Sequence, residues 1–134
     1  MALRTKELYG VREDLNARLK AAGLSDSDKI LAAAAQPKDR ADLAAKLGID
    51  EKEVLELANR ADLARIKGIG TVYSDLLEQA GVDTVAELAQ RNPDNLYDKI
   101  VATSGEHFVQ RLPRREDVAG WVAQAKALDR AIFY

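Results

Sequence analysis

Residues 10–31 and 68–89 align without a gap at an offset of 58, and this internal repeat constrains the chain more than any other feature. Gly10 falls on Gly68, Leu15 on Tyr73, Leu19 on Leu77, Gly23 on Gly81, Leu24 on Val82 and Ile30 on Leu88. The apolar residues recur at three- and four-residue spacing, as in Val11, Leu15 and Leu19, which is the period of an amphipathic helix. Gly23 and Gly81 stand where a glycine ends such a helix. The repeat then continues in pattern: Pro37 and Pro93 open corresponding helices, and Val54-Leu55 answers to Val118-Ala119.

Punctuation residues place the remaining elements. Ser25 or Asp26 caps a short Ala-rich helix running to Ala35, and the helix opened by Pro37 carries Leu43 and Leu47 and stops at Gly48. Asp50 with Glu53 reads as a capping box for a helix whose inner face is Val54, Leu55, Ala58 and Ala61 to Leu63. In the second half Thr71 to Ala80 is helical, Asp83 caps Thr84 to Gln90, and the helix from Pro93 carries Leu96 and Ile100. Thr103-Ser104-Gly105 breaks that pattern, and Pro113 precedes a last helix with Val118, Trp121, Val122 and Ala125 on one face. Aromatics are only 5% of the chain while Ala and Leu abound, a balance that favours helix over strand. The expected fold is all-α: a first unit over residues 1–60 and a second over 61–134, packed into one domain with one shared core. Short helices, each marginal alone, are stabilised by such packing.

Several function classes are set aside by composition. With no cysteine there are no disulfides and no thiolate metal sites, which fits a reducing compartment. The first residues are charged and lack an apolar signal region, and no apolar run approaches a membrane span, so a cytoplasmic protein is expected. Residues 1–60 hold 11 basic and 11 acidic side chains and residues 61–134 hold 9 and 11, so neither half is a basic lobe. His107, the single histidine, stands beside Glu106 with neither metal-ligand spacing nor a nucleophile partnered to it. No phosphate loop, dinucleotide fingerprint or paired-carboxylate motif appears. The reading is of a protein that is not an enzyme and takes no cofactor, metal or small-molecule substrate.

The most informative stretch is Leu63-Ala64-Arg65-Ile66-Lys67-Gly68-Ile69-Gly70-Thr71, in which an apolar helix end meets a Gly-Ile-Gly turn and a second helix. It resembles the helix-hairpin-helix motif. Gly68 and Gly70 permit positive φ, Ile69 plugs the turn into the core, and the amides near Gly68 to Thr71 lie at the positive end of a helix dipole, which suits a phosphate. Continued through Gln79-Ala80-Gly81-Val82-Asp83-Thr84-Val85-Ala86-Glu87-Leu88, the pattern resembles the bacterial domain of unknown function 4332 family, over about Leu8 to Leu128. That resemblance implies tandem helix-hairpin-helix units (a SAM-like arrangement) and no settled activity. More distantly, Ala80 to Leu88 is similar to the C-terminal domain of the bacterial RNA polymerase alpha subunit, which contacts both DNA and protein.

By this analogy Arg65, Lys67, Gly68, Gly70 and Thr71 touch the duplex DNA backbone without reading sequence. Asp62, Asp75 and Glu78 lie close in sequence and oppose such contact. In the first copy Arg12 replaces the glycine of position 70, so that turn is expected to have lost the phosphate-cradling shape. Arg111, Arg114 and Arg115 form the densest basic cluster, and Arg4, Lys6, Arg12, Arg18 and Lys20 make the N-terminal unit locally positive; both read as ordinary solvated surface. Tyr73 and Trp121 read as core. The competing function is a protein–protein adaptor, or self-association, with the apolar segment Ala131-Ile132-Phe133-Tyr134 either packed down or offered to a partner.

Overall fold

The computed structural model describes residues 3–8, 11–104 and 112–134. Among these residues a 3-10 turn at Thr5–Glu7 is followed by eight helices: α1 Glu13–Ala21, α2 Ser27–Ala34, α3 Pro37–Leu47, α4 Glu51–Leu63, α5 Thr71–Gln79, α6 Val85–Ala89, α7 Pro93–Ser104 and α8 Arg115–Ala127. Among the described residues there is no strand, only an isolated bridge between Arg4 and Asp26.

The sequence repeat is a structural repeat. α1 and α5 start and end 58 residues apart, and both close with the same two backbone bonds. In α1 these are Gly23 N to Lys20 O at 3.0 Å and Leu24 N to Leu19 O at 2.8 Å; in α5, Gly81 N to Glu78 O at 2.9 Å and Val82 N to Leu77 O at 2.8 Å. Both glycines have positive φ, 80° and 90°, the left-handed conformation that this cap requires. Three residues after each glycine stands an N-cap, Asp26 accepting from Lys29 N and Thr84 accepting from Glu87 N. The helix pairings match too: α2 on α4, α3 on α4 and α1 on α3 in the first half, α6 on α8, α7 on α8 and α5 on α7 in the second.

Four local expectations are corrected. Thr84, not Asp83, caps α6, because its hydroxyl is the group within reach of Glu87 N at 3.2 Å. Asp50 is the N-cap of α4, but its carboxylate makes no capping hydrogen bond. α7 runs through Thr103 to Ser104, the Thr103 hydroxyl bonding back to Lys99 O at 2.9 Å instead of breaking the helix. Gly70 is extended, with φ −104° and ψ −160°, because it is the N-cap of α5 and N-caps take β-region angles. Arg12 fills the equivalent place before α1 at φ −77°, so it is not the residue that distinguishes the first turn.

Of the two turn glycines, Gly68 carries the conformational demand: its φ is +100°, and a Cβ there would lie 3.1 Å from Trp121 Nε1. A Cβ on Gly70 meets nothing within 4 Å. Gly68→Ala should therefore destabilise by about 2 kcal/mol, from the left-handed penalty plus the contact, and Gly70→Ala by less than about 1 kcal/mol. Urea unfolding of the two variants checks this; equal losses would contradict it.

Buried apolar side chains gather into two clusters where a shared core was expected. One holds Leu15, Leu19, Ile30, Leu47, Val54 and Ala58; the other holds Leu63, Ile66, Leu77, Leu88, Ile100 and Trp121. The division falls within the last turn of α4, between Ala61 and Leu63. Polar bonds and an exchanged side chain tie the halves together. Ile132, after α8, is 2% exposed and belongs to the first cluster, while Phe133 N donates to Ala35 O at 2.8 Å. Arg60 Nη2 lies 2.5 Å from Glu78 Oε2, a carboxyl whose pKa burial raises, with the Arg60 charge pulling the other way.

Candidate functional site

α4 ends at Leu63, and the chain turns through Ala64–Gly70 into α5. Ile66 and Ile69 are buried and pin the turn to the second core, leaving Lys67 and Gly68 at the surface. The backbone amides of Gly68, Gly70 and Thr71 have no hydrogen-bond partner among the described residues. Lys67 has no carboxylate within ion-pair distance among those residues either.

The five candidate residues divide between two edges of the turn. Arg65 is drawn inward: its Nη1 bonds Asp62 Oδ1 at 2.8 Å and its Nη2 bonds Asp129 O at 2.8 Å. Asp62 uses its second oxygen to accept from Val85 N at 2.8 Å, at the start of α6. The Thr71 hydroxyl donates to the Glu7 carbonyl, so the N-terminal segment sits against the Gly70–Thr71 side; Leu3 and Leu8 face Ile69, Gly70 and Ser74 there. Lys67 and Gly68 form the other edge, and it is open. Gln124 of α8 holds it in place by bonding the Lys67 peptide on both sides, accepting from N at 2.8 Å and donating to O at 3.1 Å.

Beside this edge lies a shallow groove of about 390 Å³ between the turn and α8. Lys67, Gly68 and Tyr73 line it from the side of the turn and α5, and Arg114, Glu116, Asp117, Gly120, Trp121 and Gln124 from α8 and its N-cap. Trp121 is core, as its spacing implied, and Tyr73 packs half-buried against it with ring centroids 5.3 Å apart. Arg114 is exposed but engaged: its Nη2 is 3.3 Å from Asp117 Oδ1, and the Asp117 hydrogen bond raises its pKa further.

The other basic residues are dispersed. Arg115 turns to α7, bonding Asp94 at 2.8 Å and lying 4.5 Å over the Tyr97 ring. Arg12 pairs with Asp14 and Glu53, and Arg18 donates to Leu47 O. Gly10, His107 and Arg111 lie outside the described residues. Among those described, no group of three or more potential metal ligands occurs, and no helix is long and apolar enough to cross a membrane.

The model of the family described as a domain of unknown function, DUF4332, matches residues 9–128. The chain belongs to the DUF4332 family. No curated protein and no solved structure shows significant similarity to it. The match takes in both structural repeats of this DUF4332 chain from α1 through α8, so the family pattern covers the joined pair. Sequence reasoning missed Asp62 and Gln124 as the residues that fix the turn, although the Asp62–Arg65 spacing of three at a helix end was a usable signal.

Proposed function

We propose that this DUF4332 chain is a non-catalytic cytoplasmic binding protein built from helix-hairpin-helix units, which makes a weak, sequence-independent contact with the phosphate backbone of duplex DNA. The observation that carries the reading is the open Lys67–Gly68 edge, where a lysine and backbone amides that have no partner among the described residues stand side by side. Phosphate contacts of this kind position a duplex without reading bases. Arg65 and Thr71 are withdrawn from the candidate set because the Arg65 guanidinium is engaged by Asp62 and the Asp129 carbonyl, and the Thr71 hydroxyl by the Glu7 carbonyl.

Fluorescence polarisation on a random duplex at low salt tests the reading. Binding is expected in the micromolar range of non-specific contacts, or weaker, and Lys67→Glu should abolish it. Binding that survives Lys67→Glu would overturn it.

A second reading, a protein–protein adaptor or self-associating module, is favoured by one observation. Phe133 and Tyr134 are 40% and 71% exposed although their segment is held by main-chain hydrogen bonds, so an ordered apolar surface faces solvent. Burial and the nearby Asp83 and Glu87 carboxylates raise the Tyr134 pKa. Light scattering separates the readings: mass that rises with concentration and falls back in a Phe133→Ser, Tyr134→Ser variant supports self-association.

A further inference from the structure

Packing alone does not account for Trp121. The side chain is 4% exposed, yet its indole N–H donates to nothing among the described residues. The N–H is not sealed from solvent, so the acceptor that a tryptophan N–H normally finds can come from outside, at the groove that Trp121 lines. Here the N–H lies beneath Gly68, where a Cβ would come within 3.1 Å of Nε1, so only glycine leaves it uncovered. Both residues border the groove, and so does Lys67. Gln124 fixes the Lys67 peptide against α8 with two hydrogen bonds, so the backbone that carries the lysine is held beside Trp121 while its side chain is exposed.

We infer that this groove is an oxyanion subsite in which a phosphate group accepts a hydrogen bond from Trp121 Nε1 and is paired by Lys67 Nζ. Glu116 and Asp117 also border it, but both face Arg114, at 4.0 Å and 3.3 Å. The four side chains Lys67, Arg114, Glu116 and Asp117 sum to zero charge, so directional hydrogen bonding carries the selectivity and affinity is weak. A phosphodiester in a nucleic-acid backbone and a free phosphate ion present the same oxygens. The inference rests on the backbone-binding reading only for which of these is the natural occupant.

Trp121 is the single tryptophan, so the ¹⁵N–¹H spectrum of the intact chain holds one indole signal. Titrating inorganic phosphate against sodium chloride at matched ionic strength should move that signal saturably with phosphate alone. Lys67→Met, which keeps the aliphatic stem, should weaken the effect about tenfold, equivalent to 1.4 kcal/mol. Movement equal in the two salts, or unchanged by Lys67→Met, would overturn the subsite.

A parallel titration with random duplex assigns the source. A duplex that binds without moving the indole signal contradicts the subsite and leaves the backbone-binding reading intact. Phosphate that moves the signal while duplex does not bind supports the subsite and removes that reading.

Discussion

Replacing Asp62 with alanine should destabilise the protein by about 3 kcal/mol, near the lower end of what breaking a buried ion pair costs, since Arg65 keeps some solvent contact. Asp62 is 3% exposed, and each of its oxygens has a separate task. Oδ1 neutralises Arg65, and Oδ2 accepts from Val85 N, at the start of a helix only five residues long. Removing the carboxylate leaves Arg65 with the Asp129 carbonyl alone and strips α6 of a charged acceptor at the positive end of its dipole. For a chain of this length the loss corresponds to a fall in Tm of about 10 °C. Asp62→Asn, which retains a neutral acceptor for Val85 N, should fall between. A thermal melt checks the series; a drop in Asp62→Ala of less than a few degrees would contradict the assignment.

Arg40→Ala should have a comparable effect by a different route. Arg40 is 6% exposed with no carboxylate partner among the described residues; its guanidinium donates to three backbone carbonyls. Nη1 reaches Ala34 O at 2.9 Å and Ala35 O at 3.0 Å, at the negative end of α2, and Nη2 reaches Phe133 O at 2.7 Å. The same group lies 5.8 Å from the Tyr134 ring centroid. This clasp keeps Ile132 in the first core. Hydrogen bonds to charged groups contribute about 1.5–3 kcal/mol each, and partial relaxation of the segment leaves an expected loss of about 3 kcal/mol. Hydrogen exchange gives the sharper readout: Phe133 N–H, bonded to Ala35 O, should lose its protection in Arg40→Ala. Arg40→Lys, a compact charge without the planar fork, should restore less than half. Unchanged protection of Phe133 would contradict the clasp.

What was legible in the sequence depended on how local its cause was. Gly23 and Gly81 were legible because only glycine sits easily at a left-handed helix end, and their spacing carried the repeat with it. The α6 cap was misread because Asp83 and Thr84 are adjacent and both able caps; the repeat itself pointed to Thr84, at 58 residues from Asp26. Gly70 was read as permitting a positive φ, whereas its N-cap position required extended backbone. Thr71 could not be placed from sequence, nor could the second bond of Arg65, since the partners Glu7 and Asp129 each lie 64 residues away. Arg40 gave no signal, as its carbonyl partners are backbone groups and carry no side-chain identity. Trp121 was legible as core from its helical spacing, but which way its N–H faced depended on the fold.

The all-helical architecture thus followed from period and punctuation, while the surface left open for binding followed from which polar atoms the fold consumes. One edge of the Gly68–Gly70 turn joins the repeats, and the other, at Lys67 and Gly68, faces solvent. On the proposed reading, such a narrow edge meets only one or two phosphates. The salt dependence of duplex binding tests this most directly: log K against log salt should fall with a slope of about −1 to −2. A slope of about −5 or steeper, or no duplex binding at low salt, would contradict it.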